Sequence, residues 1–190
     1  MRSTASRPTM ALALSLLLTF ASAGIAAELA GVTMGPTAEA GEESLHLNGM
    51  GLRKKIGFKV YAAGLYLPEK ASDTSAILGE DTARRLDMHF LRKVSKDQLC
   101  GGWDDGLAAN TPDASAEVKE AFVKLCSYME NVTKKDIITF VYVPGTGVEV
   151  TVKGASKGTL EGKAFADALF ACWLGPTPPS DDFKAGLLGS

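Results

Sequence analysis

Arg53 and Tyr61 are the residues whose types and spacing could build a binding site. A guanidinium offers two parallel N–H donors in a fixed fork, and a phenol adds an O–H. Together they suit a carboxylate. The two residues are eight positions apart. On one straight strand they would stand about 26 Å apart and could share no ligand. Gly57 lies at their midpoint, and glycine suits a tight turn. A hairpin turned about Gly57 pairs Lys55 with Lys59 and Arg53 with Tyr61. Directly opposite residues then have Cβ atoms about 5 Å apart. The competing reading is plain packing, with Arg53 snorkelling at a sheet edge and Tyr61 and Tyr66 filling the core.

Other chemistries lack their residues. His46 and His89 are the only histidines. His89 falls in the middle of an expected strand and reads as a surface or satisfied residue. There is no G-x-S-x-G elbow and no P-loop. Gly49-x-Gly51 lacks the rest of a dinucleotide pattern, so no cofactor is expected. Asp104-Asp105 and Asp181-Asp182 are adjacent pairs that diverge on a helix and read as solvated or capping positions. With no C-x-x-C and no His/Cys cluster, no metal site is expected.

The elements that must position the pair follow from periodicity. Residues 44–47 alternate polar and apolar as a strand does. Residues 55–67 are rich in aromatic and branched side chains and read as a long strand ended by Pro68. A short helix is expected over 72–78, capped by Ser72 or Asp73. Residues 84–92 form a strand with Leu86, Met88 and Phe90 on one face and Arg85, Asp87, His89 and Leu91 on the other. Ser95 caps a helix to about 109 with Leu99, Trp103 and Leu107 along one stripe. A second helix covers about 116–129. A hairpin follows, with strands over 136–143 and 148–152 around the 144–147 turn. Residues 153–158 turn again, and 159–160 add a short third strand. Helices over about 162–173 and after 180 close the chain. Strands at both ends around a helix pair predict one α+β domain, an antiparallel sheet covered by helices.

The N-terminus is expected to be removed. Arg2 and Arg7 precede a short apolar run over 10–20, and small residues follow at cleavage spacing, so residues 1–26 read as a secretory signal peptide. The run is shorter than the roughly 20 residues of a spanning helix, and no later segment is apolar enough to cross a bilayer. Residues 27–42 are small, acidic and Gly/Pro-containing and read as a loosely held leader to a domain over 43–190. The expected location is periplasmic or secreted. Losing Arg2 and Arg7 makes the net charge of −2 more negative by two. Such a surface carries no electrostatic footprint for nucleic acid. An oxidising compartment permits a disulfide among Cys100, Cys126 and Cys172. Cys100 and Cys126 sit on neighbouring expected helices and are the candidate pair, with free core thiols as the alternative. Cys172 reads as core. Nothing in the sequence fixes an oligomeric state.

Several blocks in order carry a family resemblance. Gly49-x-Gly51-x-Arg53 followed by KVYAAGLYL at 59–67 resembles the chalcone-isomerase-like family, in its small secreted bacterial branch. FLRKVS at 90–95 with WDDGL at 103–107 resembles that family's strand-to-helix passage. YVPGTGVEV at 142–150 resembles its central hairpin. GKAF at 162–165, LFACWLG at 169–175 and FKAGLLG at 183–189 resemble its C-terminal helices. The resemblance implies an open-faced β-sandwich, a large antiparallel sheet under a layer of helices with an apolar cleft between them.

In the family's plant isomerases an arginine steadies a phenolate, while a threonine and a tyrosine act through water on the ketone. Arg53 matches that arginine. Tyr61 falls where those enzymes carry the threonine. Residues 95–102 lie where they carry the tyrosine and a nearby asparagine, and neither type occurs there. Ala166 and Asp167 fall near their remaining polar cleft residue. The non-catalytic relatives that bind fatty acids are more similar, keeping an arginine and a tyrosine for the carboxylate and an apolar cleft for the chain. The resemblance therefore implies a ligand-binding role for Arg53 and Tyr61 towards a fatty acid or similar small amphipathic carboxylate. Leu86, Met88, Phe90, Leu99, Trp103, Phe122 and Phe140 are the expected lining. The alternatives are an isomerase of the intramolecular lyase type, with Arg53 stabilising an oxyanion, and an envelope interaction module with a closed cleft.

Overall fold

The computed structural model describes residues 26–190. The expected signal peptide lies, but for its last residue, outside them. Seven strands form one antiparallel sheet: β3 (Thr37–Ala40), β4 (Glu43–Lys55), β5 (Phe58–Leu67), β6 (Arg84–Phe90), β7 (Ile137–Val143), β8 (Gly147–Val152) and β9 (Ala155–Leu160). They lie side by side in chain order. Sequential antiparallel neighbours need only short connections or a local excursion, and the excursions here are the helices. The first is α1 (Thr74–Gly79), between β5 and β6. The pair α2 (Lys96–Asn110) and α3 (Ala116–Tyr128) separates β6 from β7, and α4 (Lys163–Leu174) and α5 (Asp181–Leu187) follow β9. This is the expected α+β sheet under a layer of helices.

Helix α4 is buried from Phe165 through Leu174 except at Asp167. The rest of that stretch is apolar all round, and such a helix belongs inside a core. It lies against the sheet and against α2 and α3. Leu86, Met88 and Phe90 point into that interlayer, as the alternation of β6 predicts. The cap residues also match: Asp73 accepts from Ser75 N, and Ser95 forms a capping box with Gln98. Cys100 and Cys126 are bonded, with Cα atoms 5.5 Å apart, and join α2 to α3.

The leader expectation is corrected. Within residues 27–42, β1 (Ala27–Leu29) and β2 (Val32–Met34) form a hairpin, and β3 is the edge strand of the sheet. Met34 and Ala40 are buried with Leu45, Leu47, Tyr66 and Val141 on the sheet face opposite the helices. The composition of this segment concealed its role, because covering a second sheet face needs only a few apolar side chains. Two strand boundaries also move. Residues 44–55 belong to one long strand, β4, and residues expected to turn at 155–158 belong to β9. The β8–β9 register shifts between Val150 and Thr151, and such a bulge hides a ladder from period-two reading.

Two glycines of β4 explain how α5 reaches the sheet. A Cβ at Gly51 would lie 2.5 Å from the Phe183 carbonyl oxygen, and one at Gly49 would collide with the Gly186 carbonyl. Helix α5 therefore lies directly on the backbone of β4. Asn48, buried beside them, donates to Leu187 O at 2.8 Å and to Ala71 O at 2.9 Å, and accepts from Ala71 N at 2.8 Å. The Gly-x-Gly of this chain serves close packing.

Candidate functional site

The β4–β5 hairpin sets the site. Its turn residues are Ile56 at φ +51° and Gly57 at φ +77°. Two central residues with positive φ give the turn whose twist matches paired strands. Lys55 therefore faces Phe58 and Lys54 faces Lys59, not Lys55 with Lys59 as expected. The register then shifts between Arg53 and Lys54, leaving Val60 as an extra residue, and Arg53 faces Tyr61. The expected pair forms by a two-residue turn plus a bulge.

Arg53 and Tyr61 lie on the same face and line a cavity of about 560 Å³ between the sheet and α2 and α4. Arg53 donates from Nη1 to the Pro179 carbonyl at 2.6 Å, just before α5. It forms no ion pair among the described residues, so most of its fork stays available. Tyr61 Oη accepts from Trp173 Nε1 at 3.0 Å. That leaves the phenolic hydrogen to be donated elsewhere. Burial pushes the Tyr61 hydroxyl up to about 12, against the opposing pulls of the Trp173 hydrogen bond and the Arg53 charge. At neutral pH it is a donor and not a base. Its ring packs against Phe90 and Phe183, with centroids 5.6 Å and 5.8 Å away. These contacts fix the hydroxyl in place.

Much of the remaining wall is apolar. Of the expected lining, Met88, Phe90, Leu99 and Trp103 face the cavity, while Leu86, Phe122 and Phe140 are packed core. Trp173 and Cys172 line it from α4. Burial raises the Cys172 thiol to about 12, which keeps it protonated at neutral pH. Helix α2 touches α4 at Gly106, where a Cβ would lie 2.8 Å from Cys172 Sγ. One turn earlier, at Gly101 and Gly102, a Cβ would meet nothing within 4 Å. The cavity opens there.

The rim is cationic: Lys55, Arg92 and Lys93 join Arg53 around the mouth, with Asp105 the carboxylate among the lining residues. Sequence reading missed this rim, and it read Asp105 as a solvated or capping position. The signal for Arg92 was present. Phe90 faces Tyr61, and Arg92 lies two residues on, so alternation carries it to the same side.

A second cleft of about 440 Å³ lies on the opposite sheet face, under the β1–β2 hairpin. Three of its polar side chains are bonded to one another. Asp87 accepts from Arg85 Nε at 2.9 Å, Arg85 Nη2 at 3.0 Å and Thr139 Oγ1 at 2.8 Å. His89 lies here, half-buried, and burial lowers its pKa. Asp167, expected near the cleft, instead pairs with Arg84 and with Lys163, the latter at 2.6 Å. Arg84 is fully buried at the other end of β6, between the Tyr142 and Phe170 rings. No cluster of metal-ligating side chains occurs among the described residues, and no helix among them is long and apolar enough to cross a membrane.

Comparison with known proteins agrees with this architecture. A family model described as chalcone isomerase-like matches residues 26–189. Among solved structures, the chain is similar to a crystal structure of an Arabidopsis thaliana fatty-acid binding protein, with a TM-score of 0.69 and 14% identity. The match covers 86% of this chain and 96% of that one. At such identity the likeness is one of fold. No curated protein matches the chain.

Proposed function

The chain belongs to the chalcone isomerase-like family, and from that premise we propose that it binds a fatty acid or similar small amphipathic carboxylate without turning it over. The observation that carries this reading is the Arg53–Tyr61 pair at the mouth of an apolar cavity. The carboxylate lies on the Arg53 fork and takes the Tyr61 hydrogen. The acyl chain runs between Met88, Phe90, Leu99 and Trp103. A volume of about 560 Å³ falls within the roughly 300–1,000 Å³ of small-molecule sites. The structural neighbour that binds fatty acids has the same fold.

The state of three proton-carrying side chains supports binding over turnover. Tyr61 and Cys172 both hold their protons at neutral pH, and His89 lies on the far face of the sheet. Proton transfer near neutral pH favours a group that titrates there. Export belongs to the same reading. It is supported by the signal-like sequence of residues 1–26 and by the Cys100–Cys126 bond, which suits an oxidising compartment.

Native mass spectrometry of the protein isolated from expressing cells, with its organic extract, tests the proposal. A stoichiometric fatty acid is expected, and Arg53→Ala should weaken it by about 1.5–3 kcal/mol, one charge-assisted hydrogen bond. An empty protein that also fails to bind any of a chain-length series of fatty acids would refute it. Cyclisation of a chalcone by the purified protein would favour the isomerase instead.

A further inference from the structure

We propose that the tip of the β4–β5 hairpin docks on an anionic lipid bilayer, so that the cavity exchanges its ligand with the membrane. This rests on the fatty-acid reading of the cavity. Ile56 is 89% exposed and Phe58 is 61% exposed. Among the described residues only Val123 joins them as a large exposed hydrophobic. Isolated exposed side chains need no explanation, but two beside one turn at a cavity mouth form an apolar point.

That point is ringed by positive charge. Lys54, Lys55 and Lys59 flank it on the hairpin, and Arg92 and Lys93 stand beside it at the end of β6. Arg92 lies over the Phe58 ring at 4.9 Å. Residues 50–61 contain no acidic side chain, in a chain whose net charge is −2. A cationic ring around exposed apolar side chains complements an interface of anionic headgroups over acyl chains. The tip and the cavity share Lys55, Ile56 and Phe58 as wall residues. Docking therefore places the mouth at the lipid surface.

The turn adds an independent observation. Ile56 holds φ +51°, a conformation that is an outlier for a β-branched residue. Asparagine or glycine would adopt it with less strain. An isoleucine here gains no burial to offset that strain, so folding alone does not account for it. A role at an interface does.

Vesicle co-sedimentation tests the proposal with the protein as isolated from expressing cells. Phosphatidylcholine vesicles with and without phosphatidylglycerol are compared at low and high salt. Binding to the anionic vesicles is expected, and added salt should weaken it. Lys54→Gln with Lys59→Gln, neither in the cavity wall, should lower partitioning on the order of 30-fold. Its affinity for a fatty acid in solution should not change. Ile56→Asn should also lose vesicle binding while its Tm stays level or rises, which separates the effect from misfolding. Absence of binding to anionic vesicles at low salt would overturn the proposal. So would equal binding by wild type and both variants. Fatty-acid affinity, measured without vesicles, reports separately on the cavity.

Discussion

Arg53 faces Tyr61 across the β4–β5 hairpin because Val60 is left out of the ladder. Without that bulge the two-residue turn would oppose Arg53 to Val60, and Tyr61 would fall on the other face. The bulge places a fork of donors and a phenol on one side, over one cavity. Trp173 completes the arrangement by donating to Tyr61 Oη, which leaves the phenolic hydrogen free to be donated.

Tyr61→Phe removes that hydrogen and leaves the buried Trp173 indole without its acceptor. Fatty-acid affinity should fall by about 1 kcal/mol, and stability by about 1–3 kcal/mol. In a cycle with Arg53→Ala the two losses should be non-additive for ligand affinity, since both side chains hold one carboxylate. Isothermal titration of the four proteins reads the coupling. Full additivity would place the carboxylate on only one of them.

Affinity should be flat near neutrality and fall on both sides. Below about pH 5 the ligand carboxylate takes up a proton and loses its attraction to Arg53. On the alkaline side, Tyr61 keeps its donor hydrogen until the pH approaches about 12. The sign for stability is the same. A tyrosine whose folded pKa is raised contributes fully below its ordinary value of 10.0, and that contribution is lost as pH rises through about 12. Tyr66 and Tyr142 are also raised to about 12, each chiefly by burial. Thermal melts from pH 8 upward should therefore show a steep alkaline loss, and Tyr61→Phe should make it shallower.

Gly101→Ala and Gly102→Ala should each stabilise the protein by about 0.5–1 kcal/mol, because glycine weakens a helix interior. The added methyls meet no neighbour within 4 Å. They also narrow the open side of the cavity, so affinity for long acyl chains should fall while short chains bind as before. Denaturant melts and a chain-length series check the two effects separately.

Asp167→Ala should destabilise by about 3 kcal/mol. Arg84 is fully buried, and Asp167 is its only carboxylate partner among the described residues. Removing one member of such a pair leaves an uncompensated charge. The Asp167 side chain is 31% exposed, so the lower end of the usual range applies. Fatty-acid affinity should be unchanged, because this pair lies about 20 Å along β6 from Phe90. A loss of affinity without a loss of stability would place Asp167 at the ligand.

The sequence by itself determined the local elements and one spacing. Alternation in β6 fixed which side chains face the helices, because period two is a local property of a strand. Gly57 between Arg53 and Tyr61 pointed to a hairpin that opposes those two residues, but not to the pairing beside its turn. The pattern over about 162–173 predicted a helix, with Cys172 in the core. Only the tertiary structure decided the rest. Met88 and Phe90 became cavity wall, while Leu86 on the same face became core, since that depends on where α2 departs from α4. The segment at 27–42 became strands because a second sheet face needed cover. The cationic rim joined Arg53 and Lys55 to Arg92 and Lys93, which are far apart in the chain and meet through strand pairing. The turn and its bulge were invisible because Ile56 contradicts the residue preference of its own backbone conformation.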